Sequence, residues 1–88
     1  MPSVTVYKTQ FCGYCTAAIR FLQENKKQEV EIVDLSQNHQ KRMELVQQTG
    51  HRTVPLIFIG DKFIGGYDDM IALDRKGGLD SLLEAEQK

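Results

Sequence analysis

The chain's only two cysteines stand in Phe11-Cys12-Gly13-Tyr14-Cys15, separated by two residues. That spacing lets the sulfurs close a disulfide, or lets the second thiol attack a mixed disulfide formed on the first. An alternating segment, Ser3-Val4-Thr5-Val6-Tyr7, runs into the pair, and a helical pattern from Thr16 to Asn25 runs out of it. Cys12 therefore falls at a strand-to-helix junction, where unpaired N–H groups and the positive end of the helix dipole favour an anion. A thiolate is such an anion, so Cys12 is expected to be the nucleophile and Cys15 its resolving partner. The competing use of a CxxC pair is half of a zinc site. Zinc needs four ligands, however, and there is no second cysteine pair. The two histidines, His39 and His51, fall in polar stretches near helix ends and read as solvated surface residues.

Two further stretches carry chemistry. In Thr53-Val54-Pro55 the proline is open to two roles. It suits an edge strand, where it needs no ladder hydrogen bond. Alternatively, a cis Val54–Pro55 bond would turn Thr53 and Val54 toward Cys12 and offer the Val54 N–H and C=O to an extended peptide. Gly65-Gly66-Tyr67-Asp68-Asp69 reads as a strand end followed by a helix start. A helix N-terminus binds a carboxylate, and Asp69 suits an ammonium, so the pair matches an α-amino acid head group. Lys8 and Arg52 are cations close to these elements.

The elements that must position these groups follow from periodicity. Val4 and Val6 alternate with Thr5 and Tyr7 as a first strand. Ala17, Ala18, Phe21 and Leu22 mark the buried stripe of the first helix, which ends at Asn25-Lys26-Lys27. Glu29 to Asp34 alternates again as a second strand, parallel to the first through the helical crossover. Ser36 or Asn38 can cap a second helix, with Met43 and Val46 facing inward and Gly50 as its stop. Leu56-Ile57-Phe58-Ile59 is the most apolar run and suits a central strand, and Gly60-Asp61 turns it into Lys62-Phe63-Ile64. A third helix carries Met70, Ile71 and Leu73, with Arg75 and Lys76 in its last turn before Gly77. Asp80 is expected to cap a short last helix bearing Leu82 and Leu83. The order βαβαββα plus a short helix gives an α/β layer arrangement, a four-stranded mixed sheet with helices on both faces.

Composition bounds the remaining possibilities. The 88 residues suit one domain, 1–88, and 41% hydrophobic with 26% charged residues is ordinary for a globular chain. A net charge of -1 without a basic patch argues against nucleic acid and acidic membranes as partners. No apolar run approaches the ~20 residues of a membrane span, and no leader-like segment follows Met1. A cytoplasmic protein is the expectation. Two cysteines are also too few for a secreted disulfide framework.

Lys8-Thr9-Gln10-Phe11-Cys12-Gly13-Tyr14-Cys15, then Thr53-Val54-Pro55, then Gly65-Gly66-Tyr67-Asp68-Asp69, resemble the three signatures of the glutaredoxin family in order and spacing, over essentially the whole chain. The resemblance implies a thioredoxin-like fold, a cis Pro55, a redox-active Cys12–Cys15 pair and a site for glutathione as co-substrate. That site would comprise Lys8, Tyr14, Arg52, Thr53, Val54, Pro55, Gly66, Asp68 and Asp69. The tripeptide's cysteinyl backbone would pair with Val54, and its γ-glutamyl head would sit at the Asp68 amide with Asp69 on the ammonium. Its glycyl carboxylate would meet Lys8 or Arg52, and Tyr14 would wall the groove. The implied activity is a glutathione-disulfide oxidoreductase acting on glutathionylated and disulfide-containing proteins, ribonucleotide reductase among the conceivable substrates, as a monomer.

The chain departs from the commonest pattern at Gly13, where dithiol members carry proline. Members without that proline are the ones more often able to hold a [2Fe–2S] cluster. There, two Cys12 thiolates and two glutathione thiolates would bridge a dimer. Cys15 in place of serine argues against the dedicated cluster-transferring class, and Tyr67 stands where several relatives have a cysteine. A third reading, a redoxin reduced by thioredoxin reductase, leaves Lys8, Arg52 and Asp68-Asp69 without a use.

Overall fold

The computed structural model of the protein describes residues 4–86. Strand β1 (Val4–Lys8) leads to helix α1 (Gly13–Arg20), which continues as a π-helical turn over Phe21–Asn25. Then come β2 (Val30–Asp34), α2 (His39–Thr49), the hairpin β3 (Leu56–Ile59) and β4 (Lys62–Gly65), and finally α3 (Tyr67–Arg75) and α4 (Gly78–Glu86). The strands lie in the order β2-β1-β3-β4, with β1 parallel to β2 and antiparallel to β3, and β4 antiparallel to β3. This is the expected mixed sheet. Ser3, included in the first strand from sequence, lies outside the described residues.

The period-two alternation of β3 explains the layers. Ile57 and Ile59 join Val4 and Val6 in a core closed by Ala18 and Leu22 of the first helix, Met70 of α3 and Leu79 and Leu83 of α4. Leu56 and Phe58 point the other way, into a second cluster with Leu35 and Leu45 of α2. Three helices thus cover one face and α2 the other. All four β3 residues are buried, as a strand with neighbours on both sides and helices on both faces requires.

Several local expectations are revised. The first helix, by contrast, bears out the junction at Cys12: it begins at Gly13, directly after Cys12, whose side chain caps it. Asn38, not Ser36, caps α2, accepting from the Lys41 N–H at 3.0 Å. On α2 the buried residue is Leu45, whereas Met43 is 44% exposed. Leu45 is the α2 residue that enters the second cluster; Glu44 beside it is exposed, and Val46, expected to face inward, is half-buried. Ile32 is also exposed, since β2 is an edge strand. Asp80 lies inside α4 rather than before it, and the buried residue there that periodicity missed is Leu79.

Asp80 is used instead across elements. The Lys26 ammonium, at the end of the π-helical turn, sits 2.6 Å from an Asp74 oxygen on α3 and 3.0 Å from an Asp80 oxygen on α4. It also lies 5.6 Å from the centre of the Phe21 ring. The hydrogen bond to Asp74, and then that to Asp80, raises the Lys26 pKa above its ordinary 10.5. The cluster's contribution is therefore complete below that ordinary value and is lost as the pH climbs through the folded-state value. The ammonium is neither fully buried nor fully exposed. Lys26→Met, which keeps the apolar stem, is expected to cost about 1–2 kcal/mol, between the values for surface and interior pairs. Denaturant titration checks this; an unchanged midpoint would leave the cluster without structural weight.

Candidate functional site

The loop between β1 and α1 is fastened to the end of β2. Leu35 N–H donates to the Lys8 carbonyl at 2.7 Å, and Gln10 N–H donates to Ser36 Oγ at 2.8 Å. Ser36 N–H in turn donates to Asp34 Oδ1 at 2.8 Å. The Ser36 side chain, then its backbone N–H, hold the Asp34 carboxyl below its ordinary range, with the Lys8 charge adding to the effect. Phe11 takes φ +57°, left-handed for a residue with a Cβ, at a cost of ~1–2 kcal/mol. Its ring projects fully into solvent directly before Cys12.

Cys12 is the N-cap of α1 in extended conformation. Its Sγ accepts from Cys15 N–H at 3.2 Å, and its carbonyl accepts from Thr16 N–H at 3.2 Å. Negative charge on Sγ is therefore met by a helix N-terminus and a backbone N–H. The two cysteines are joined as a disulfide, with Cα atoms 5.2 Å apart. They are unequal in exposure: Cys12 is partly exposed, whereas Cys15 is 0% exposed within the core. Only Cys12 can meet an incoming disulfide.

Val54–Pro55 is cis, the second of the two roles open to that proline. The Val54 carbonyl oxygen lies 4.0 Å from Cys12 Sγ, and Pro55 is buried ahead of β3. At the start of α3, Gly66 N–H donates to Asp69 Oδ2 at 2.9 Å. Gly66 has no side chain to return the bond, so this is one half of a capping box. Gly65 needs to be glycine twice over: its φ is +119°, and a Cβ there would collide with the Asp69 carboxylate. Asp69 is thus oriented by the backbone.

These pieces surround an open cleft of about 410 Å³. Seven residues singled out from sequence line it: Tyr14, Thr53, Val54, Pro55, Gly66, Asp68 and Asp69. Tyr67 and His51 complete the lining. The Tyr14 and Tyr67 rings lie 5.9 Å apart and form one lip. Lys8 and Arg52 are not in the lining. Lys8 is paired in register with Asp34 across β1 and β2, and Arg52 is exposed beside the cleft wall.

His51 corrects the sequence reading. It is partly buried, its ring packs edge-on to Phe63 at 5.6 Å, and its Nε2 is 3.1 Å from Thr53 Oγ1. The available signal was its position two residues before Thr53, which places both side chains on one side of a short extended stretch.

Among the described residues, no group of three or more His, Cys, Asp or Glu side chains is placed to hold a metal ion. With Cys15 buried, one chain offers a cluster a single surface sulfur, and these residues do not by themselves fit a complete centre.

The chain matches the family model described as Glutaredoxin over residues 4–64. It is 41% identical over 85 residues to a glutaredoxin of Pseudomonas aeruginosa, covering 97% of this chain and 100% of that one. It is 40% identical over 84 residues to glutaredoxin 3 of Escherichia coli K12, covering 96% of this chain and 100% of that protein. Among solved structures, it superposes on the buckwheat glutaredoxin–glutathione complex with a TM-score of 0.86 at 32% identity, over 96% of this chain and 78% of that one.

Proposed function

This chain belongs to the glutaredoxin family of thiol–disulfide oxidoreductases, and from that premise we propose that glutathione is its reductant and that protein–glutathione mixed disulfides are its principal substrates. The observation that carries the reading is the cleft beginning at Val54, 4.0 Å from Cys12 Sγ, and ending at the carboxylates of Asp68 and Asp69. It offers an extended backbone partner, a helix N-terminus and an anion in sequence. A γ-glutamyl tripeptide presents a cysteinyl backbone, a carboxylate and an ammonium in the same sequence.

In the reaction, the Cys12 thiolate attacks the glutathione sulfur of the mixed disulfide. A Cys12–glutathione disulfide forms, and the substrate protein leaves as its thiolate. A second glutathione thiolate attacks the glutathione sulfur on Cys12, releasing glutathione disulfide and restoring Cys12. With a protein disulfide as substrate, Cys12 forms a mixed disulfide with that protein. Cys15 then attacks Cys12 Sγ, frees the second protein thiol and leaves the Cys12–Cys15 disulfide for two glutathiones to reduce.

Asp69 tests the ligand assignment. Asp69→Asn retains an oxygen for the Gly66 N–H but removes the charge offered to the ammonium. The apparent KM for glutathione is expected to rise about tenfold, the equivalent of ~1.4 kcal/mol, with little change in thermal midpoint. Coupled steady-state assays measure it, and an unchanged KM would remove Asp69 from the site.

A further inference from the structure

The exchange chemistry makes no use of His51, yet its ring lies in the cleft wall and is held on several sides. Phe63 packs against it edge-on at 66°. A Cβ on Gly66 would come within 3.3 Å of Nε2, so the start of α3 closes a second side. The backbone is fixed as well, because His51 N–H donates to Thr49 Oγ1 at 3.1 Å. The remaining partner is Thr53 Oγ1, 3.1 Å from Nε2, on an exposed residue of the cleft lining.

A threonine hydroxyl has one proton to give. With the neutral ring's proton on Nδ1, Nε2 holds the lone pair and Thr53 donates its proton inward to His51. A protonated imidazole has no lone pair. Its Nε2 must then donate to Thr53 Oγ1, and the Thr53 proton turns outward into the cleft. The charged and titratable groups around this pair are Asp68 and Asp69 of α3, the phenols of Tyr14 and Tyr67, and Arg52, the next residue in the chain.

We infer that His51 is a proton-dependent positioning residue, whose protonation reverses its hydrogen bond with Thr53 and converts the Thr53 hydroxyl into a donor for a ligand carboxylate. The inference rests on the glutathione reading and extends it: affinity for the tripeptide rises as the pH falls through the imidazole range. By linkage, the bound carboxylate favours the imidazolium, so binding takes up a proton.

The test is an NMR titration of the disulfide-bonded protein with S-methylglutathione, which has both carboxylates and the ammonium but no thiol. It is run at about pH 5.5 and about pH 8, on either side of the ordinary histidine range. The wild type is expected to bind about fivefold more tightly at the lower pH, a coupling of ordinary size. His51→Gln, which bonds to Thr53 but takes up no proton, is expected to bind equally at both. His39→Gln, on α2, is expected to retain the gain. In the wild type, the His51 ring resonances should titrate at higher pH when the ligand is saturating, a readout that needs no variant. Equal affinity at both pH values in the wild type, or a gain preserved in His51→Gln, would overturn this inference alone. Absence of ligand shifts at Thr53, Val54 and Asp69 in every form would overturn the glutathione reading together with it.

Discussion

Cys12→Ser is expected to reduce thiol–disulfide exchange to the uncatalysed rate with every substrate. The hydroxyl is a poor nucleophile at neutral pH, and Cys15 cannot replace the lost thiol because it is 0% exposed, on the buried side of the first turn of α1. The substitution is clean because serine is itself a favoured N-cap, so the bond from Cys15 N–H retains an acceptor and α1 retains its start. A reduced-state thermal midpoint close to that of the wild type, alongside lost turnover, is the expected pair of results. Turnover above background would assign the chemistry to another group.

Cys15→Ser is expected to separate the two reactions. Reduction of a protein–glutathione mixed disulfide needs only Cys12 and a second glutathione, and is expected to stay within a few-fold of the wild type. Direct reduction of a protein disulfide needs the buried thiol to resolve the intermediate, and is expected to fall to background, with the mixed disulfide trapped on Cys12 and visible by mass spectrometry. The hydroxyl enters a site that is 0% exposed, which costs about 1–3 kcal/mol if it finds no partner. Cys15→Ala removes that penalty and should give the same separation. Loss of both reactions in a folded Cys15→Ala protein would contradict the route through Cys12 alone.

What the sequence disclosed was local. The cysteine pair, the apolar run of β3, the Gly60-Asp61 turn and the stops at Gly50 and Gly77 are each written within a few consecutive residues. Each appears where expected. The Cys12 cap is equally local, since it joins residues three apart. The misread features depend on contacts between elements distant in the chain. Whether Met43 or Leu45 turns inward depends on how α2 is rolled on the sheet, and the helical period alone allows more than one answer. Asp80 reads as a cap until Lys26, 54 positions earlier, is seen 3.0 Å away. His51 reads as solvated until Phe63 and Gly66 close around it. The site shows the same division. Its motifs are legible one by one, but the cleft that unites Tyr14, Thr53 and Asp69 exists only after β1, β3 and the starts of α1 and α3 are assembled.

The most direct test of the central claim is glutathione-dependent reduction of a small glutathione mixed disulfide, coupled to glutathione reductase and NADPH, with the wild type and Cys15→Ser compared side by side. Saturable turnover in both proteins, dependent on glutathione and abolished by Cys12→Ser, is the predicted result. Turnover in neither, from protein shown to be folded and reduced, would contradict a glutathione-driven exchange at Cys12.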